Sequence, residues 1–138
     1  MTGSAGQKSF SWPLRVYYQH AGGVVFHANY FSFMECARTE LLQSQGFDLG
    51  ELARRDRVLF VVHSAQIAYH KPALLNDLLT VTARVKHVGR ARLEFDQAVM
   101  RREEVLASAE LRLACVSANS YRPVAVPEAI RKKLEGLR

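Results

Sequence analysis

The chain has 138 residues, a length that suits one domain and can bury a core without disulfides or a metal. Its composition, 49% hydrophobic and 23% charged, is that of a globular protein and not of a disordered one. The net charge of +6 permits an anionic ligand without specifying one. No run approaches the roughly 18 apolar residues of a spanning helix, and the N-terminus lacks the apolar centre of a secretory signal. We therefore expect a cytoplasmic protein with no stable membrane insertion.

The first elements are a tail and an edge strand. Residues 1–8 are rich in small residues and carry no periodic pattern, so we predict a disordered tail followed by one domain over residues 9–138. Residues 10–18 alternate between apolar and polar side chains, which predicts a strand. Pro13 places this strand at a sheet edge.

A long apolar helix follows. Asn29 is predicted as its N-cap, and Gly46 as the residue that ends it. Between them, apolar residues recur at helical spacing: Tyr30, Phe33, Met34, Ala37, Leu41 and Leu42. Phe31 and Cys36 broaden the apolar face, so the sheet is expected to surround the helix. Residues 49–55 suggest a short second helix.

After residue 58 the pattern changes to a period of two. The apolar stretch 59–70 is predicted as the first strand of an antiparallel meander, and three alternating strands with short turns follow it. Residues 126–138 form an amphipathic helix with Pro127 in its first turn. Strands and helices do not alternate as βαβ units, so the fold class is α+β: a five-stranded antiparallel sheet around one long central helix.

The two cysteines, Cys36 and Cys115, lie in no CxxC pair. They are predicted to be two buried free thiols in a reducing compartment. The five histidines and the acidic residues show no metal-ligand spacing, so no metal site and no cofactor are expected. The sequence also lacks the GxSxG motif of covalent hydrolases and the glycine-rich loop of nucleotide folds.

The start of the long helix is the candidate site. Free backbone N–H groups at a helix N-terminus can hold an anion or a developing oxyanion. Gly22 and Gly23 allow a ligand or another backbone segment to approach closely. His27 lies just before the helix, where it either takes part in chemistry or satisfies a hydrogen bond in the core.

Charged residues give two further candidates. Glu35 is either a surface charge, a partner of Arg38 or Arg84, or a carboxylate near the site with a shifted pKa. Lys86, Arg90 and Arg92 cluster around one turn, where they either hold phosphates or form a solvated hairpin tip. Aromatic residues that would form a single-stranded nucleic-acid platform are missing from that turn, so no nucleic-acid partner is expected.

Three stretches together carry a family resemblance. They are "RVYY…AGGVVFHANYFSFMECARTELL", "FVVHSAQIAYHKPALLNDLLTV" and "LACVSANSYRPVAVPEAI". The most specific features are AGGVVxHANY and the Tyr-x-x-Pro-Ala-x-x-x-Asp stretch of Tyr69, Pro72, Ala73 and Asp77. The chain resembles the hotdog-fold acyl-CoA thioesterases over residues 10–134. It is most similar to the 4-hydroxybenzoyl-CoA thioesterase family and its Tol–Pal-associated YbgC branch.

The resemblance implies hydrolysis of acyl-CoA at the helix start, between the subunits of a homodimer or homotetramer. It implies that backbone N–H groups polarise the thioester carbonyl and that His27 is catalytic, with Asn29 and Tyr30 following it at the site. Gly22 and Gly23 also contact substrate in this scheme. Glu35 matches a helix glutamate of YbgC-type members. The basic turn residues Lys86, Arg90 and Arg92 fall where relatives bind the phosphates of CoA.

One departure from the family pattern affects the chemistry. Relatives carry an aspartate, their nucleophile or general base, immediately before Ala-Gly-Gly, whereas this sequence reads Tyr18-Gln19-His20-Ala21. Either the printed chain omits two residues of the loop, which a long Cα–Cα distance from His20 to Ala21 would reveal, or the protein lacks the aspartate. In the second case His20 is a candidate substitute base.

The leading hypothesis is an acyl-CoA thioesterase; the alternative is a protein that binds acyl-CoA or acyl-carrier protein without cleaving it.

Overall fold

The computed structural model describes residues 9–16 and 28–138, and within them five strands, three helices and a π-helical turn. The predicted tail at residues 1–8 and the segment 17–27 lie outside the described residues. The strands are β1 (Phe10–Arg15), β2 (Val58–Tyr69), β3 (Leu78–Val88), β4 (Arg92–Arg101) and β5 (Glu104–Ser117). The helices are α1 (Ala28–Ser44), α2 (Leu49–Glu51), which runs into the π-helical turn Leu52–Asp56, and α3 (Glu128–Glu135).

The strands form one antiparallel sheet in the order β1-β3-β4-β5-β2. The five-stranded antiparallel sheet is therefore confirmed. The meander is confirmed only for β3, β4 and β5. The expectation that residues 59–70 begin it is wrong, because β2 pairs with β5 at the far edge and the chain crosses the sheet to reach β3. The apolar stretch predicted a strand at these residues but not which strand lies beside it.

β1 forms the opposite edge and pairs only with β3, as Pro13 predicts. Its side chains at Trp12, Leu14 and Val16 are turned inward in the predicted alternation. The strand ends at Arg15, and of the rest of the predicted stretch only Val16 is described. The backbone of Val16 nevertheless hydrogen-bonds with Asn76 and Asp77, so the chain remains attached to the start of β3.

The long helix α1 packs against β1, β3 and β4. Its inward side is fully buried, with Tyr30, Met34 and Ala37 at 1% exposure or less. This side meets the concave face of the sheet, where Leu79, Val81, Phe95 and Leu111 are buried. Gly46 ends the helix with φ +93°, the left-handed conformation that glycine adopts without strain.

The other side of α1 is open, which corrects one expectation. Phe31 is 42% exposed, and Cys36 is exposed rather than part of the apolar face. Cys115 is buried, as predicted. Among the described residues, α1 packs on β1, β3 and β4, and its side that carries Phe31 and Cys36 is not covered by the sheet.

The short C-terminal helix α3 closes one end of the core. Pro127 precedes its first turn, and Ile130 and Leu134 point inward with at most 1% exposure. Its remaining side chains are polar and mostly exposed, so the helix is amphipathic as the sequence predicts.

Candidate functional site at the start of the central helix

The first turn of α1 contains two of the predicted site residues, Asn29 and Tyr30. The helix begins at Ala28, so Asn29 is already helical and the expectation that it is the N-cap is wrong. Helix boundaries are the least precise part of a prediction from sequence, because the cap depends on the backbone angles of a single residue. Tyr30 points into the core and is 1% exposed.

The Tyr30 hydroxyl joins the helix start to the segment that connects β2 and β3. Its Oη accepts a hydrogen bond from the backbone N–H of Ala73 at 2.8 Å and lies 3.5 Å from the carbonyl oxygen of Lys71. Its ring packs on those of Phe33 and Tyr69, with centroids 5.8 and 5.6 Å away. Burial raises the pKa of the Tyr30 hydroxyl above its ordinary value, so the group stays neutral and can both accept and donate.

The Tyr-x-x-Pro-Ala-x-x-x-Asp stretch has a structural explanation at this place. Tyr69 ends β2 and supplies a ring against Tyr30, and Ala73 is fully buried where a larger side chain would not fit. Asp77 closes the turn by accepting the Leu74 N–H at Oδ2, 2.8 Å away. The spacing of the motif therefore reflects one turn built against the helix start.

Arg101, at the end of β4, is the main charged group beside this turn. Its Nη1 donates to Asp77 Oδ2 at 2.8 Å, and its Nη2 donates to Glu104 Oε1 at 2.8 Å. Lys71 pairs with the other oxygen of Glu104. Hydrogen bonds to Glu104 and Asp77 raise the pKa of Arg101, and those from Lys71 and Arg101 lower the pKa of Glu104, so both remain charged.

A cavity of about 770 Å³ opens at the same end of the sheet. Its charged lining consists of three arginines and three carboxylates: Arg15, Arg101, Arg102, Asp77, Glu103 and Glu104. None of these three arginines was predicted as a site residue. Strand pairing brings Arg15 to the cavity, since Arg15 lies opposite Leu78 at the start of β3.

Glu35 lies on the exposed side of α1, not against the sheet. It pairs with neither residue suggested from the sequence: Arg84 pairs with Asp96 on the outer face of the sheet, and Arg38 turns inward. Burial lowers the pKa of Arg38, and the negative charge of Glu35 raises it. Glu35 therefore still acts electrostatically on Arg38. The exposed position agrees with one of the readings left open, a surface charge.

Arg38 is a buried cation held by a neutral partner. It is 7% exposed and donates from Nη1 to Gln97 Oε1 at 2.8 Å. Gln97, itself buried on β4, donates to the carbonyl oxygens of Met34 and Thr82 at 3.0 and 3.1 Å. These bonds connect α1 to the middle of the sheet and fix the helix against β3 and β4.

The basic turn lies at the opposite end of the sheet from the start of α1. Arg90 and Arg92 are exposed at the β3–β4 connection, whereas the helix start lies beside the first residues of β3. Lys86 pairs with Glu110 and Asp96 on the outer face. Within one chain, therefore, the structure does not bring Lys86, Arg90 and Arg92 to the helix start.

Four predicted site residues, His20, Gly22, Gly23 and His27, lie outside the described residues, and so does the His20–Ala21 distance. As the 138-residue sequence stands, no carboxylate occurs between Tyr18 and Gly23. Over residues 9–16 and 28–138, no three histidine, cysteine or acidic side chains come together as metal ligands would. Within the same part of the chain, no helix is long and apolar enough to span a membrane.

The sheet order, the long helix on one face and the segment packed at the helix start define a hotdog-fold thioesterase. The thioesterase superfamily model matches residues 22–108, and the chain belongs to this family. It is 40% identical over 131 residues to the acyl-CoA thioesterase YbgC of Haemophilus influenzae, covering 94% of this chain and 96% of that protein. It is 39% identical over 124 residues to the acyl-CoA thioester hydrolase YbgC of Escherichia coli O6:H1, covering 88% and 92%.

A solved structure supports the same assignment. The probable thioesterase from Bartonella henselae superimposes with a TM-score of 0.82 at 30% sequence identity, covering 86% of this chain and 99% of that one. The resemblance inferred from the sequence motifs is therefore confirmed at the level of family and fold.

Proposed function

We propose that this protein is an acyl-CoA thioesterase, which hydrolyses the thioester of acyl-CoA to a free acid and CoA. One observation carries the proposal: the chain is 40% identical, over 94% of its length, to a relative named for this activity. Residues 9–138 act as one thioesterase domain in this proposal. The start of α1 supplies the physical basis, because the first amides of a helix have no intrahelical acceptor and can donate to a developing oxyanion.

In this proposal the thioester carbonyl lies in front of the first turn of α1, near Gly22, Gly23 and Asn29. His27 orients or activates the attacking water. Glu35 is the nearest carboxylate on the exposed side of the helix, seven residues after Ala28 or about 10 Å along the axis. Its side chain leans back towards the helix start, which shortens that distance. His20 is the remaining candidate base in place of the family's aspartate.

We further propose that two copies pair along β2. This strand is twelve residues long, lies at the sheet edge and exposes Val61, Val62 and Tyr69. A long apolar edge strand presents unpaired backbone groups that another strand can satisfy. The β1 edge is less suited, since it is six residues long and contains Pro13. Pairing at β2 would extend the sheet and cover the open side of α1, where Phe31 and Glu35 lie.

This arrangement gives the basic turn a role. A twofold axis perpendicular to the sheet pairs β2 antiparallel with its copy, so the β3–β4 turn of one subunit falls at the same end as the α1 start of the other. Arg90 and Arg92 would then steer the phosphates of CoA towards the neighbouring subunit's site. Lys86 contributes less, since its charge is compensated by Glu110 and Asp96.

The test is release of free CoA from short-chain, long-chain and aromatic acyl-CoAs. We expect turnover by the wild type, a loss of at least tenfold in kcat for His27→Ala and a smaller loss for Glu35→Gln. Glu40→Gln, which neutralises another glutamate of α1, is the matched control and should keep wild-type kcat. Absence of CoA release with every substrate at micromolar enzyme would refute the proposal.

A second candidate function follows from the sequence between Tyr18 and Gly23, which has no carboxylate. A hotdog protein without its nucleophile could hold acyl-CoA or acyl-carrier protein and not cleave it. Such a protein would gain thermal stability with acyl-CoA and release no CoA. The same assay therefore separates the two functions.

The setting proposed for this activity is the cytoplasm. Acyl-CoA is the expected partner, and neither a nucleic acid nor a membrane is needed for the chemistry. Salt-dependent retention on duplex DNA would contradict this part of the proposal.

A further inference from the structure

The segment between β2 and β3, residues 71–77, contacts the chain at two points that flank the Ala-Gly-Gly motif in sequence. Before the motif, the Val16 N–H donates to the Asp77 carbonyl oxygen at 2.9 Å, and the Asn76 N–H donates to the Val16 carbonyl oxygen at 2.8 Å. After the motif, Tyr30 Oη accepts the N–H of Ala73 at 2.8 Å. One short segment thus fixes the position of the chain where it enters and where it leaves residues 17–27.

The segment is itself held by charged side chains from the β4–β5 turn. Arg101 bridges Asp77 and Glu104 with two hydrogen bonds of 2.8 Å, one from each terminal nitrogen. Glu104 also pairs with Lys71 at the beginning of the segment. Asp77 in turn accepts the N–H of Leu74, so its carboxylate fixes the internal turn as well. Both ends of the segment are therefore tied to one arginine–glutamate pair.

We propose that residues 71–77 act as a positioning clamp for the thioesterase site, with Tyr30 and Arg101 as its positioning residues. This inference rests on the proposed function. Neither side chain needs to touch the substrate: Tyr30 holds the first turn of α1, and Arg101 holds Asp77. Catalysis at a helix start depends on holding the N–H donors within about 0.5 Å of their productive positions, so loosening either contact lowers the rate of the chemical step.

Two variants test the clamp without disturbing the core. Tyr30→Phe keeps the ring contacts with Phe33 and Tyr69 and removes the hydroxyl that accepts the Ala73 N–H and lies beside the Lys71 carbonyl oxygen. Arg101→Gln removes the bridge between Asp77 and Glu104 at a half-buried position. Arg54→Gln is the matched control, since it also removes an arginine from an ion pair with a glutamate, here an exposed pair with Glu51.

We expect kcat for acyl-CoA hydrolysis to fall about tenfold in Tyr30→Phe and in Arg101→Gln, with KM within twofold of the wild type. Arg54→Gln should match the wild type in both constants. A KM that rises while kcat stays constant would show Arg101 to be a substrate-binding group and would overturn the inference. So would wild-type kcat in both variants.

Hydrogen exchange supplies a readout that does not depend on catalysis. The amides of Val16 and Asn76 should exchange faster in Tyr30→Phe and Arg101→Gln than in the wild type and in Arg54→Gln, since both donate at the far end of the segment from Tyr30. Unchanged exchange in both variants would refute the clamp. If the wild type releases no CoA, the proposed function fails and the exchange comparison alone decides whether residues 71–77 hold Val16 and the start of α1 together.

Discussion

At the scale of single residues, the two cysteines have opposite surroundings. Cys115 is fully buried on β5, and burial raises the pKa of its thiol to about 11. Cys36 is exposed on the open side of α1. Because the thiolate is the reactive form, the two side chains should differ in reactivity although neither forms a disulfide.

We expect iodoacetamide at pH 8 to modify Cys36 in the folded protein and to leave Cys115 intact. A pKa near 11 leaves about one thiol in a thousand ionised at pH 8, against about one in ten at the ordinary pKa. Peptide mapping by mass spectrometry measures both sites, and unfolding in urea should make Cys115 reactive. Rapid labelling of Cys115 under native conditions would contradict its burial.

The sign of the Cys115 pKa shift also sets a pH dependence. A thiol whose pKa is raised on folding keeps its proton longer in the folded state than in the unfolded one. The free energy of unfolding should therefore decrease as pH rises from about 9 to about 11 through this group. Cys115→Ala would remove this contribution.

Residue surroundings were the part that the sequence predicted least well. The helical period placed Cys36 on the apolar face, but its side chain is exposed. It lies at the boundary of the buried side of α1, where neighbouring positions in the sequence differ in the face they occupy. The burial of Arg38 depends on Gln97, which is 59 residues away in sequence. No local pattern reveals such a pair, since the charge alone favours a surface position.

At the scale of elements, Gly46 determines where α1 ends. Its φ of +93° lies in the region that disfavours a Cβ atom, although a methyl group there would meet nothing within 4 Å. Gly136, after α3, has φ −67° and an ordinary helical conformation. A comparison of alanine substitutions at the two glycines therefore distinguishes the effect of backbone conformation on stability from the effect of room for a methyl group.

Gly46→Ala should lower the free energy of unfolding by about 1 kcal/mol because of backbone strain. Gly136→Ala is the control and should leave it unchanged or raise it slightly, since alanine suits that conformation. Urea titrations at equilibrium measure both. Equal effects of the two substitutions would refute the role assigned to the positive φ.

Element types were predicted well, and their arrangement less so. The periods of 3.6 and 2 identified α1, α3 and all five strands, because each element has one face in the core. The place of β2 beside β5 was missed, since alternation is the same for any neighbour. The turn at residues 71–77 was recognised as a motif, but its hydrogen bond to Tyr30 spans 43 residues and required the structure.

At the scale of the whole molecule, the β2 edge is the feature with a direct experimental consequence. Val62 is 46% exposed there, and Val105, on β5, is 39% exposed away from the edge. If two copies pair along β2, a lysine at position 62 must bury its charge in the interface, whereas a lysine at position 105 remains in solvent.

We expect the wild type to be the proposed dimer, and Val62→Lys to be a monomer with reduced CoA release. Val105→Lys should remain dimeric and active. Light scattering after gel filtration measures the mass, and circular dichroism confirms that both variants fold. A monomeric wild type, or a dimeric Val62→Lys, would contradict pairing at β2.

The site could be predicted at this scale only in part. The helix start and the motif after β2 were found from the sequence and lie at one end of the sheet. The basic residues Arg90 and Arg92 were grouped with them, although they lie at the opposite end in the same chain. A strand of eleven residues is about 36 Å long when extended, so within one chain the two ends of β3 are far apart, and their assignment to one site stays a prediction that depends on a second subunit.

Pro13 on the outer strand β1 has a consequence for the size of any assembly built through β2. Once two sheets join, the ten-stranded product ends in a short proline-containing strand on both sides, and neither offers a long edge to a third chain. Association of this kind is self-limiting, so raising the concentration of the protein adds more closed pairs and does not grow a polymer.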